Sequence, residues 1–216
     1  MAVPVDPADR YAILVPMVDK SPTPQRRDSY TVETLLAVTV RVFNERGYDG
    51  TSMEDLSRAA GISKSSIYHH VRGKEELLHL AVGRALDGLF GILEEPAAAS
   101  GAAAARLEHV GRRTTEVLIA ELPYVTLLLR VRGNTATEQW ALQRRREFDH
   151  HVAELLAAAV RSGELRADVE PRLATRLIFG MINSLVEWYH PDLDHRAAEQ
   201  IADAVITISL NGLRAA

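Results

Sequence analysis

No cysteine occurs in the 216 residues. Disulfides, cysteine nucleophiles and thiolate metal sites are therefore excluded, and the absence fits a reducing compartment. No run approaches the ~18 consecutive apolar residues that a membrane span needs. The apolar stretch from Tyr11 to Val18 is short, contains Pro16, and follows Asp6 and Asp9 where a signal peptide would be basic. Strand-like alternation and internal repeats are missing. So are a nucleophile elbow, a phosphate-cradling glycine loop and a zinc-protease helix. The expectation is a soluble, cytoplasmic, all-α chain with no cofactor, no membrane partner and no enzymatic chemistry.

What is present is material for a helical core. The chain is 47% hydrophobic, and its 25 basic and 29 acidic residues leave a formal net charge of -4. Global acidity does not exclude a nucleic-acid partner, because phosphate contacts need only a few well-placed donors. Five prolines up to Pro24 leave no helical stripe, so residues 1–28 are expected to form an unstructured arm ending in Lys20, Arg26 and Arg27.

From Ser29 the pattern is helical. Val32, Leu36, Val40 and Phe43 recur at helix spacing. Gly47 stands where a left-handed C-terminal residue is wanted. Thr51 and Glu54 are spaced as a capping box, and Ala60-Gly61 signals a turn. The spacing predicts a third helix over residues 63–71 and a fourth starting at Lys74. Further helices are expected over 102–121, 124–131 and 135–161. Pro171 opens another, with Leu173, Leu177, Met181, Leu185 and Trp188 on one stripe, and Pro191 ends it. The last helix carries Ile201, Val205 and Ile208.

The run from Thr51 to Lys74 carries the functional signal. With Ser63 as N-cap, Ile62 precedes the cap and Ile67 is the fourth helical residue, the spacing of a hydrophobic staple. Ile67 and Val71 then point inward together. The opposite face holds Ser65, Tyr68, His69 and Arg72, small or hydrogen-bonding groups suited to base edges and phosphates. Lys74 opposes the macrodipole of the helix it starts, a placement explained if its ammonium reaches a DNA phosphate.

The run F-N-E-R-G-Y-D-G-T-S-M-E-D-L-S-R-A-A-G-I-S-K-S-S-I-Y-H-H-V-R-G-K-E-E-L-L, beginning at Phe43, closely resembles the TetR family of bacterial regulators. The resemblance covers residues 29–82. It implies a helix-turn-helix DNA-binding head over 29–73 and a helical ligand-binding and dimerisation body over 74–216. Thr51 would open the first helix of the motif, and the Ser63–His69 helix would enter the major groove. The implied DNA-binding set is Thr51, Ser52, Ser63, Lys64, Ser65, Ser66, Tyr68, His69 and Lys74. The implied partners are a palindromic duplex operator, a second copy of the chain paired through its last two long helices, and a small effector that releases a repressor from DNA.

The run Gly180-Met-Ile-Asn-Ser-Leu-Val-Glu-Trp-Tyr-His-Pro191 is similar to TetR-type regulators that respond to acyl-CoA thioesters. The expected ligand set is Tyr124, Leu127, Leu128, Arg130, Arg145, Phe148, Asn183 and Trp188, with Arg132 and Arg144 as further cations at the mouth. An uncharged lipophilic effector is the competing reading. From another class, three Glu-x-x-His pairs (Glu76 with His79, Glu147 with His150, Glu187 with His190) fit a helical-bundle di-iron carboxylate protein. Their positions, in an exposed first turn and at a helix end, speak against it. Arg144-Arg145-Arg146 and His150-His151 read as surface.

Overall fold

The computed structural model describes residues 31–191 and 196–214. The arm over 1–28 and the start of the head at Ser29 lie outside the described residues. From Thr31 onward the chain forms one compact unit. Its helices are α1 (Val32–Arg46), α2 (Met53–Ala60), α3 (Lys64–Tyr68), α4 (Lys74–Glu94), α5 (Pro96–Ala99), α6 (Ala103–Ala120), α7 (Leu122–Arg130), α8 (Ala136–Arg161), α9 (Pro171–Asn183), α10 (Leu185–Trp188) and α11 (Ala198–Asn211). Among the described residues there is no strand, only an isolated bridge between Leu165 and Arg214.

Helix starts follow side-chain caps. Thr31 caps α1, Ser63 caps α3 and Thr135 caps α8, each hydroxyl accepting the amide three residues on. The cap of α2 sits one residue later than the spacing predicts: Ser52 and Asp55 form the capping box, not Thr51 and Glu54. The Thr51 hydroxyl is turned inward, donating to the Gly47 carbonyl at 2.7 Å, and the residue is buried. Gly47 does take a positive φ of 79°, but with ψ 153° rather than the left-handed helical value.

Other boundaries also differ from expectation, α7 among them, which starts at Leu122 rather than Tyr124. The third helix ends at Tyr68, well before Val71. Pro96, which breaks α4, also starts the short α5, because proline is acceptable at a first helical position. The stripe from Leu173 to Trp188 is divided between α9 and α10.

The core of the head is Leu35, Val40, Phe43, Leu56, Ile67 and Val71, all buried. Helix α1 packs on α2, α4 and α7. Below it α6 lies between α8 and α11, and α8 between α4 and α9. Helix α4 thus belongs to both ends, touching α1 at the top and α7 and α8 further down. Leu56 has no exposed surface. Leu56→Ala should cost about 2–5 kcal/mol, read as a lower urea midpoint at unchanged slope in equilibrium unfolding.

Candidate functional site

Two features stand out: the outer face of α3, and a cavity walled by α4, α6, α7, α8 and α9. On α3, Ile67 is fully buried while Ser65, Tyr68 and His69 face solvent, Tyr68 at 52% exposure. The cap explains this orientation. Ser63 Oγ accepts from the Ser66 amide at 3.1 Å and shares short hydrogen bonds with the Ser65 and Ser66 hydroxyls. The Ser52 hydroxyl bonds to Asp55 Oδ2 at 2.5 Å. Lys64 is exposed, and its ammonium pairs with Glu54 Oε2 on α2 at 2.5 Å. That hydrogen bond holds the Glu54 carboxyl below its usual range and raises the lysine.

Lys74 is placed differently from expectation. Its ammonium points into the head, donating to the carbonyls of Tyr48 at 2.8 Å and Thr51 at 2.9 Å. It also lies 4.2 Å from the centre of the Tyr48 ring. The cation at the start of α4 is thereby neutralised by carbonyl dipoles and a π-face rather than by a phosphate. Of the candidate DNA residues, then, Lys64, Ser65, Tyr68 and His69 offer outward side chains. Thr51 and Lys74 are spent within the head, and the hydroxyls of Ser52, Ser63 and Ser66 serve caps.

The cavity has a volume of about 260 Å³ and is lined by Leu118, Val125, Leu128, Phe148, Phe179 and Asn183, among others. Arg145, Asp149, Thr175 and Arg176 form its polar side. Asp149, Thr175 and Arg176 also border an adjoining hollow that holds Arg146, Arg172 and His150. An apolar chamber therefore opens past Asp149 onto three arginines. Burial pushes the Arg145 guanidinium below its usual range, with Asp149 pulling it back. Asp149 keeps an exposed edge, yet the protein packed around its carboxyl raises it, against the opposing pull of Arg145 and Arg176.

Four of the eight expected ligand residues line this cavity: Leu128, Arg145, Phe148 and Asn183. The others stand elsewhere. Tyr124 is buried under Arg84, whose guanidinium lies 4.3 Å from its ring and grips Glu121 at 2.7 and 2.8 Å. Leu127 and Arg130 line a separate cleft of about 670 Å³ between the end of α1 and the loop after α7. There Arg130 donates to the Asn44 carbonyl at 3.0 Å, and the Asn44 amide donates to the Pro123 carbonyl at 2.8 Å. That cleft is larger, and apolar Phe43, Leu78, Leu127 and Leu129 share its lining with Arg46, Asp49, Arg130, Arg132 and Glu138. Trp188 is 45% exposed, donates to Ser184 Oγ at 3.3 Å and stacks near Arg196.

The expected mouth cations change accordingly. Arg132 borders the larger cleft, and Arg144 lies 3.7 Å over the Phe90 ring. Arg145 is not a surface residue. Arg172, Arg176, Thr175 and Phe179 were missed; the signal available was a pair of arginines four apart on an apolar helix. Among the described residues, no group of three or more His, Asp or Glu could hold a metal ion. Glu76 accepts the Arg72 amide at 2.6 Å, and Glu147 pairs with Arg144. The di-iron alternative is left without a ligand set among these residues.

A short capped helix with a polar outer face, set on a helical body with an internal cavity, defines a helix-turn-helix DNA-binding regulator. The pattern of bacterial regulatory proteins of the tetR family matches residues 35–81, and that of the tetracyclin repressor-like C-terminal domain matches residues 100–213. The chain belongs to the TetR family of transcriptional regulators. It is similar to the HTH-type transcriptional repressor KstR2 of Rhodococcus jostii, 30% identical over 182 residues, 83% of this chain and 89% of that one. A TetR-family regulator of known structure from Streptomyces coelicolor A3 is 68% identical, with a TM-score of 0.79, covering 84% of this chain and 91% of that one. AibR, solved with isovaleryl coenzyme A and operator DNA, shares the fold at 24% identity and a TM-score of 0.69, over 82% of this chain and 96% of that one. KstR2 is named as a repressor and the Streptomyces protein as a transcriptional regulator. No helix among the described residues is long and apolar enough to cross a membrane.

The position of Lys74 separates two outcomes. Lys74→Met should lower stability by about 1.5–3 kcal/mol, the range for hydrogen bonds to a charged group. It should leave the slope of log K against log salt for duplex binding unchanged. Were Lys74 a phosphate contact, the slope would fall by about one unit.

Proposed function

We propose that the chain acts as a homodimeric repressor that holds a palindromic duplex and releases it when an acyl-CoA thioester fills the cavity beside α8 and α9. The observation that carries the ligand class is the apolar chamber joined, across Asp149 and Thr175, to Arg146, Arg172 and Arg176. The acyl group would occupy the chamber. The phosphates would take charge-assisted hydrogen bonds from the arginines, whose planar forks suit phosphate oxygens. An uncharged effector would have no use for that mouth. AibR, of the same fold, was solved with an acyl-CoA, and the KstR2 relatives are named repressors, which supports this reading.

On the DNA side, residues 29–73 serve as the head. The α3 face of Ser65, Tyr68 and His69 would meet the major groove, with Lys64 leaving Glu54 for a phosphate. Pairing would use α9 and α11 in the body over 74–216. Leu173, Leu177 and Ile208 there are 51%, 63% and 65% exposed, apolar surface that a second copy would cover. A two-fold dimer presents two recognition helices, so its operator has two half-sites about 34 Å apart or a multiple of that. Release follows if the thioester binds better to the spacing that does not fit DNA.

Fluorescence anisotropy with a labelled fragment from upstream of the gene tests both sides. Tyr68→Ala with His69→Ala should weaken duplex binding by roughly tenfold or more while unfolding as the wild type does, if each lost contact is worth about 1 kcal/mol. Binding as tight as wild type removes α3 as the reading helix. Octanoyl-CoA should release the wild-type complex, whereas octanoic acid should not. Arg172→Ala with Arg176→Ala should raise the thioester concentration for half-release about tenfold or more, without changing DNA affinity. Equal release by acid and thioester would remove the arginine mouth as the CoA site.

A further inference from the structure

The cavity is small for an acyl-CoA site, and one side chain makes it so. At about 30 Å³ per water-sized group, the liquid share of a water molecule, its 260 Å³ holds about nine non-hydrogen atoms. A sixteen-carbon chain needs roughly twice that space. Behind the cavity lies a second apolar space, walled by Leu107, Val110, Val152 and Ile206. Its own volume of about 10 Å³ is too small for any ligand. Phe179 lines both spaces, so its ring is the partition between them.

The partition is braced. Phe179 on α9 lies 5.8 Å from Phe148 on α8, and Phe148 meets Phe90 on α4 edge-on at 5.7 Å. The Arg144 guanidinium closes the outer end of the row over Phe90. Ring pairs of this geometry add specific attraction beyond burial. A chain too long for the chamber must therefore displace the whole row, not one rotamer.

We infer that Phe179 sets the length of acyl group the protein accepts, admitting short and medium chains and rejecting long ones. This rests on the proposed acyl-thioester reading of the cavity. Phe179 is half-buried, and Phe179→Ala removes six ring carbons from between the two spaces.

Isothermal titration of the full chain with octanoyl-CoA and palmitoyl-CoA, beside octanoic and palmitic acid, tests it. Wild type should prefer the eight-carbon thioester by roughly tenfold or more, since seating the extra methylenes must push the packed ring row off its rotamers. Phe179→Ala should erase that preference, and Phe179→Leu should reduce it. Wild-type binding of palmitoyl-CoA as tight as that of octanoyl-CoA overturns the inference. So does an unchanged preference in Phe179→Ala shown folded by circular dichroism, or in Phe179→Leu if the alanine variant does not fold. Should the acids bind with the same length preference while neither thioester binds, the CoA reading falls and the ceiling stands. Failure of both series to bind removes both.

Discussion

The Lys74 ammonium, held between the Tyr48 and Thr51 carbonyls, joins the first residue of α4 to the loop between α1 and α2. A lysine at a helix start is unfavourable alone. Here the cost is offset by the Thr51 carbonyl, by the Tyr48 carbonyl, which also accepts the Thr51 amide, and by the face of Tyr48. The loop cannot move without taking α4 with it. The position of α3, capped two turns later in the same head, is in turn referred to α4.

Lower down, α4 and α7 meet the cavity region. Arg84 on α4 grips Glu121 at the start of α7. Val125 and Leu128 of α7 line the cavity wall. The same helix is bonded back to α1 through Pro123 and Arg130. A change in cavity volume thus has two mechanical routes to the head, through α4 and Lys74 and through α7 and Asn44. Packed interiors transmit displacement because they have few voids to absorb it.

Helix α3 is legible in the sequence because its determinants are local: Ser63 caps, Ile67 anchors, and the polar face follows from a 3.6-residue period. The same holds for α8, bounded by Thr135 and Gly163. The cap of α2 was misplaced by one residue because two hydroxyls, Thr51 and Ser52, each precede an acid by three. What decides between them is the bond that turns the Thr51 hydroxyl back to the Gly47 carbonyl, four residues away. The inward bonds of Lys74 are not legible locally, since its acceptors lie 26 and 23 residues away. Three consecutive arginines point three ways around α8, and nothing in the run says that Arg145 turns inward. The stripe of Leu173 and Leu177 is plain in the sequence. Periodicity marks an apolar face but does not say whether the chain itself or a second copy covers it.

The central claim is that filling the cavity changes the separation of the two heads. With no native cysteine, a single His70→Cys, exposed just beyond α3, takes one spin label per chain. Pulsed dipolar spectroscopy on the dimer then reads the head-to-head distance. With duplex bound, the account predicts a narrow distribution consistent with one-turn half-site separation, about 34 Å between recognition helices. Saturating octanoyl-CoA should shift that distribution to a different mean as the duplex leaves. An unchanged distribution at a thioester concentration that releases the duplex would contradict the account.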